Sequence, residues 1–264
     1  MVNTGLIRIQ NPASDHHVHT KLCGHATGEM EQYVQTAIEK KLKKINFLEH
    51  MEEEISWKTR TWLQESDFDK YFAEGIRLRS IYKGQIEIGL GVECGYNPDA
   101  TETLLKRLAQ RQWDEIGISC HFLKIEGLNE HLNLFTRNEE NIAICRSIGT
   151  DILLTSYFHS LTEAVQILPG TIVCHLDGPL RHLPELQLRD SHYMQIDNLL
   201  KEIAKKNITL EINTSGLRIR GEQFPALRIL AMAQDYDITM HLGSDAHKPE
   251  DVGSNFQQFW PSTL

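Results

Sequence analysis

The amino-acid sequence predicts an α/β protein: a parallel sheet of seven strands with crossover helices, closed as a barrel. Two patterns carry this expectation. Short apolar runs alternate with amphipathic stretches along the whole chain, as strand–helix–strand units of a parallel sheet require. Histidines and carboxylates then recur at the ends of those runs, where parallel α/β folds build their sites. A third observation narrows the choice. Neither GxGxxG nor a P-loop motif follows the first strand, so nothing indicates a dinucleotide or nucleoside-triphosphate fold.

The elements follow in order. Residues 14–19 read as the first strand, and 42–49, 85–93, 115–121, 171–175, 209–213 and 239–242 as the next six. Between the first two, residues 29–44 set Met30, Val34, Ala37, Ile38 and Leu42 on one stripe at helical spacing. Further helices are expected over residues 67–82, 100–112, 138–148, 156–168, 191–206 and 222–234. Asp99 with Glu102 reads as a helix start and Gly149 as a helix stop. No linker or repeat interrupts the pattern, so residues 1–264 are read as one domain, within the usual size of a single α/β barrel.

Composition restricts the function. The formal charge is −9, which argues against nucleic acid as partner, because that binding depends on lysines and arginines displacing counterions. Three bound divalent ions would bring the sum to about −3. No apolar run reaches the length of a membrane span and no signal peptide is evident, so a cytoplasmic protein is expected. Five cysteines without a CxxC pair suggest neither a disulfide framework nor a thiolate zinc site. Histidine is the abundant unusual residue, at thirteen.

Those histidines cluster by position. In Asp15-His16-His17-Val18-His19-Thr20, strand alternation would put Asp15, His17 and His19 on one face and His16 on the other. Two imidazoles spaced this way can share a metal ion. The later strands end in Glu49-His50, Gly91-Val92-Glu93, Ser119-Cys120-His121, Cys174-His175 and Gly243-Ser244-Asp245-Ala246-His247, and His25 lies in the loop after the first strand. The same alternation turns Gly89, Gly91, Glu93, His121 and His175 inward. It turns Cys94, Cys120 and Cys174 outward, into the apolar layer under the helices.

The candidate metal ligands are therefore His17, His19, His25, His50, Glu93, His121, His175, Asp245 and His247. Imidazole and carboxylate without sulfur suit zinc, manganese or iron better than calcium or magnesium. Nine such groups exceed what one ion can take and suit about three. Multinuclear sites of this type hydrolyse phosphate esters with a metal-activated hydroxide. A phosphate ester also calls for a planar cation, and Arg181 and Arg218 follow the fifth and sixth strands. Glu211 and Asp15 are expected to be buried carboxylates that partner an arginine or a ligand histidine rather than act in catalysis, and Asp177 to orient the loop after His175. His16, His131, His159, His182, His192 and His241 are read as packing or surface residues.

Taken together, these motifs resemble the polymerase-and-histidinol-phosphatase (PHP) superfamily, and within it the histidinol-phosphatase branch. Phe47-Leu48-Glu49-His50, Ser119-Cys120-His121-Phe122-Leu123, His175-Leu176-Asp177 and residues 211–218 extend the match nearly end to end. The resemblance implies a distorted seven-stranded barrel with a trinuclear centre. By that similarity His17, His19, Glu93 and Asp245 hold one ion. Glu93, bridging, holds a second with His121 and His175, and His25, His50 and His247 hold a third. Glu93 and Asp245 would act in catalysis through the water these ions activate. The implied reaction converts L-histidinol phosphate to L-histidinol and phosphate, in histidine biosynthesis.

Two departures stand out. Leu48-Glu49-His50 replaces the family's Thr-Asp-His, and Met51-Glu52-Glu53-Glu54 replaces a small residue and a proline. The first raises the question whether Glu49 can fix His50 through its other nitrogen. The second offers three glutamates, either a solvated charge run or a contact for the cationic end of the substrate. Other readings stay open: another phosphomonoester or small nucleotide as substrate, an amidohydrolase-type barrel, or a non-catalytic metal-binding module.

Overall fold

The structure is a computed structural model and describes residues 8–183 and 185–259. Seven parallel strands form one sheet in the order β1(Ser14–Val18), β2(Lys44–Met51), β3(Glu87–Gly95), β4(Ile116–Ser119), β7(Ile172–Val173), β8(Thr209–Asn213), β9(Met240–Gly243). The ends nearly meet. A parallel bridge joins Val18 to Ala246, and the His19 amide donates to the Ala246 carbonyl at 2.9 Å. The expected seven-stranded barrel is the fold observed. A two-stranded hairpin, β5(Phe122–Leu123) with β6(Leu132–Asn133), projects beyond β4 and was not anticipated.

Among the described residues eight α-helices cover the strands: α1(Met30–Glu39), α2(Glu65–Ile81), α3(Thr101–Leu108), α4(Glu139–Ile148), α5(Thr150–Ile167), α6(Asp190–Lys205), α7(Ser215–Ile219) and α8(Leu227–Gln234). The helix expected over residues 29–44 buries its stripe through Met30, Tyr33, Val34 and Ala37 but stops at Glu39. Lys41 there takes a φ of 61°, which a helix cannot continue through. Gly149, with φ 101°, ends α4 as expected, and α5 then starts at once, six residues before the expected 156. The helix expected from 222 begins only at Leu227. Phe224 is taken up in an antiparallel bridge with Asn213, and Pro225 follows it. No helix among the described residues is long and apolar enough to cross a membrane.

Inward alternation on β3 is as expected. A Cβ at Gly89 would lie 1.8 Å from the Asn46 Oδ1, and one at Gly91 2.5 Å from Leu48 Cδ2. The room these glycines leave is filled by β2 side chains. Alternation fails in two other places, and both matter to the site. A register shift between Asp15 and Val18 breaks β1. His16 and His17 both turn inward as a result, as an extra residue in a strand allows, and Asp15 turns out. His16 sits at the far end of the barrel from the site, against Glu115 at 3.0 Å, Asn46 and His241. Asp15 instead accepts from the Ser244 amide and hydroxyl and from the Gly253 amide, tying β1 to β9 and the C-terminal segment.

The second failure is β7, which is only two residues long. Ile172 and Cys174 pack with Leu48 as an apolar plug inside the barrel, and a Cβ on Gly117 would meet the Cys174 sulfur at 2.7 Å. Cys174 is thus an interior residue, against the expectation, whereas Cys94 and Cys120 belong to the outer core. His175 still reaches the site because its φ of 26° swings the chain back after the strand.

Candidate metal centre

The nine expected ligands converge at the carboxyl end of the barrel. Glu93, fully buried, is the hub, and its two oxygens face different histidines. Oε1 lies 3.0 Å from His121 Nε2 and 2.8 Å from His175 Nε2. Oε2 lies 3.3 Å from His17 Nε2, 3.6 Å from His19 Nε2 and 2.9 Å from His50 Nδ1. Asp245 Oδ1 completes this second group, 3.4 Å from His19 Nε2 and 4.0 Å from His17 Nε2. The rings continue outward. His50 stacks on His19 with centroids 4.1 Å apart, and His25 lies 5.3 Å from His50 and 4.5 Å from His247 at the exposed rim.

This arrangement fits divalent cations. His17 Nε2 and His19 Nε2 stand 2.9 Å apart, fully buried, close enough with Asp245 to share one ion. His17 Nδ1 donates to Glu211 Oε1 at 2.7 Å, and His121 Nδ1 to Glu52 Oε1 at 2.6 Å. Each carboxylate accepts the Nδ1 proton and turns Nε2 to the centre. Burial works to lower His17 and His121, but Glu211 and Glu93 raise the first well above the usual imidazole range and Glu93 and Glu52 raise the second to about 10. Each of these two rings therefore binds an ion by giving up its Nε2 proton. Burial and then the neighbouring His50 and His247 push His19 well below the usual imidazole range, and burial lowers His175. Both are held neutral, the form that binds metal. Burial works to raise Glu93, but His121, His17 and His50 hold it well below the usual carboxylate range. His19 Nδ1, His175 Nδ1 and His247 Nε2 are buried without a partner. Groups close enough to hold one ion include His17, His19 and Asp245; His17, Glu93 and His175; and His19, His50 and His247.

Two residues in this centre adopt left-handed backbone, His175 at φ 26° and Asp245 at φ 51°. Such conformations cost roughly 1–3 kcal/mol each and concentrate at functional sites. Glu211, whose first oxygen accepts from His17, accepts the His175 amide through its second oxygen at 2.6 Å.

The cavity over the centre has a volume of about 760 Å³ and is lined by His25, His50, His121, His175, Asp245 and His247 on its floor. Both expected arginines reach it. Arg181 is buried, with its guanidinium between Phe135 at 4.5 Å and Phe224 at 5.0 Å. Its Nε donates to the Gly178 carbonyl at 3.2 Å and NH1 to Asp245 Oδ2 at 3.4 Å, while NH2 has no partner. Arg218 sits further out, paired with Asp251 at 2.5 Å.

Several expectations change. Glu49 does not touch His50. Its carboxylate points to the outer layer and accepts from the Thr20 amide and hydroxyl at 2.8 and 2.5 Å. Adjacent residues on a strand face opposite ways, so Glu49 cannot reach across to the far nitrogen of His50. The three glutamates beyond His50 are neither a uniform charge run nor equivalent. Glu52 is buried against His121, and Glu53 pairs with Arg107. Glu52 was legible in one respect, since it stands two residues after His50 and shares its inward direction. Phe135 carried no sequence signal, because it lies in the segment after the unforeseen hairpin. Cys23, whose sulfur lies near His25 and His247, keeps its proton, burial raising its thiol to about 12. Asp177 accepts the Ala226 amide at 2.9 Å, as a loop-orienting role requires.

A buried hub of imidazoles and carboxylates at the carboxyl end of a seven-stranded parallel barrel defines a metal-dependent hydrolase class. The chain belongs to the PHP domain family, which it matches over residues 15–215. It is 28% identical over 246 residues to "Probable histidinol-phosphatase" of Deinococcus radiodurans, covering 92% of this chain and 89% of that protein. It is 26% identical over 262 residues to "Histidinol-phosphatase" of Bacillus subtilis, covering 93% and 97%. A Listeria monocytogenes structure described as a candidate histidinol phosphatase superposes with a TM-score of 0.83 at 21% identity, over 94% of this chain and all of that one. Histidinol phosphate phosphatase of Lactococcus lactis, solved with zinc, L-histidinol and phosphate, superposes at 0.65 with 18% identity, over 89% and 86%.

Proposed function

We propose that this protein is a divalent-metal-dependent phosphatase that hydrolyses L-histidinol phosphate to L-histidinol and phosphate. The observation that carries the chemistry is Glu93, whose two oxygens serve two separate histidine groups. That geometry suits a carboxylate shared by two ions. His17, His19, Glu93 and Asp245 would hold one ion, Glu93, His121 and His175 a second, and His25, His50 and His247 a third, drawn from zinc, manganese or iron. The substrate reading is supported by the curated relatives named as histidinol-phosphatases, which match this chain over nearly its full length.

Bound ions would supply Lewis acidity toward the phosphoryl oxygens and a water that ionises near neutral pH. The chain's own residues set up the rest. Glu211 and Glu52 orient His17 and His121 from behind. Arg181, held against the Phe135 and Phe224 rings and beside Asp245, lines the cavity and would clamp a phosphoryl oxygen. Its planar fork is already aligned, so little side-chain entropy is lost on binding. Arg218, tied to Asp251 at the rim, would add positive potential at the entrance.

The test is metal dependence of phosphate release from L-histidinol phosphate. Chelated protein should lose activity and regain it with zinc or manganese. Full activity after complete removal of metal would overturn the reading.

A further inference from the structure

The active cavity has a neighbour behind one wall. A second cavity of about 370 Å³, bounded by the loop of the β5–β6 hairpin and the first turns of α4, is lined by Leu128, Leu132 and Ile144 together with Asn129 and Asn141. Trp57, Lys58 and Asn138 line both cavities and so partition them. Lys58 and Asn138 are exposed, and each is engaged elsewhere, Lys58 with Glu140 at 2.6 Å and Asn138 with the Asn141 amide at 2.9 Å. Trp57 is half-buried, and its indole is the bulk of the wall. The segment that carries it, between β2 and α2, is tied to the hairpin loop at the residue before Trp57. The Ser56 amide donates to His131 Nδ1 at 3.1 Å, and the His131 amide donates to the Ser56 carbonyl at 2.9 Å. Phe122 on β5 packs against the indole, with ring centroids 6.0 Å apart.

We propose that Trp57 is a specificity-determining stop, which closes the active cavity against the second one and limits the size of the alcohol that the phosphatase releases. This rests on the phosphatase reading of the site. The metal centre and Arg181 fix the phosphate end of an ester. Arg181 and Arg218 follow β7 and β8, whereas Trp57 and Phe122 follow β2 and β4, on the other side of the barrel mouth. The alcohol therefore runs from the phosphate toward the Trp57 wall. An ester that ends before the indole is unaffected by it. A longer one meets a packed ring and is refused, since filled space takes extra atoms only with strain. Behind the indole the space resumes, with three aliphatic side chains to cover an apolar group. Removing the ring joins the two cavities.

The experiment compares kcat/KM for a short and a long ester, phenethyl phosphate and a biphenylethyl phosphate, on metal-loaded protein whose metal content is checked by elemental analysis. Wild type should prefer the short ester. In Trp57→Ala the preference should move toward the long ester by about tenfold or more, the scale on which a pocket wall discriminates by size, chiefly through KM. Trp57→Phe keeps a ring in the wall and should stay near wild type. His131→Ala cuts the tie without touching a residue of the active cavity. It should shift the ratio in the same direction by less, and it decides the matter if Trp57→Ala does not fold. A ratio unchanged from wild type in Trp57→Ala, or in His131→Ala where the first does not fold, overturns the proposal. Wild type that cleaves both esters equally overturns it as well. Cleavage of these esters without cleavage of L-histidinol phosphate would remove the substrate reading and leave the ratio as the test of Trp57. Wild type that cleaves no phosphomonoester sinks the phosphatase reading and the stop with it.

Discussion

At the scale of single residues, the centre is made by pairs, one group binding and a second fixing its direction. His17 with Glu211 and His121 with Glu52 are the clearest cases. Arg181 is the same idea applied to a cation. Two aromatic rings and the Gly178 carbonyl hold the guanidinium beside Asp245. Arg181→Ala should lower kcat/KM by about 100-fold or more, the scale of losing one preorganised donor to developing charge. Metal content, measured by elemental analysis, should stay whole. Arg181→Lys should rescue little, because an ammonium lacks the planar fork. A large loss of metal in Arg181→Ala would instead place this residue in support of Asp245. The ligands themselves were legible because each sits at a strand end and is of a type that metals need. Their orienting partners were harder to read. Glu211 could be named from its strand position, whereas the partner of Glu52 depended on where β4 delivers His121.

At the scale of elements, alternation was a reliable guide on β3, where nine residues in regular strand keep the pattern from Glu87 to Gly95. It misled on β1 and β7. A single register shift moved His16 inside and Asp15 outside, and a two-residue β7 gave alternation nothing to propagate. Neither a bulge nor an early strand end leaves a mark in hydrophobic periodicity. The hairpin β5–β6 is too short to show a pattern of its own, and it leads into the segment that places Phe135 against His121, His175 and Arg181. The strand glycines carry a sharper consequence. A Cβ at Gly243 would lie 2.0 Å from Glu211 Oε1 and 2.8 Å from the His17 Cβ. Gly243→Ala should therefore displace Glu211 from His17. Metal affinity should fall by roughly 10–100-fold, the usual effect of losing a group behind a ligand. Overpacking should cost about 1–3 kcal/mol in urea unfolding. Metal titration monitored by calorimetry checks the first effect, and unchanged affinity would mean that Glu211 has room to move aside.

At the scale of the whole molecule, the barrel separates its tasks along its axis. His16, Asn46, Glu115 and His241 close the far end with a hydrogen-bonded polar cluster. Leu48, Ile172 and Cys174 plug the middle. The strand ends above them carry the metal centre, and the loops beyond form the cavity. Fold class and ligand set were visible in the sequence because both follow from repeated features, seven apolar runs and the polar residues that end them. The cavity walls were not, because loops bring them together from residues 52–61, 121–138 and 175–181 without a period to betray the contact. The central claim concerns what this cavity accepts. The direct measurement is kcat/KM for phosphate release by zinc- or manganese-loaded protein, on L-histidinol phosphate beside a panel of other phosphomonoesters and a phosphodiester. The account predicts that L-histidinol phosphate is preferred by orders of magnitude. Turnover of the panel with none of L-histidinol phosphate would leave the metal centre standing and contradict the substrate.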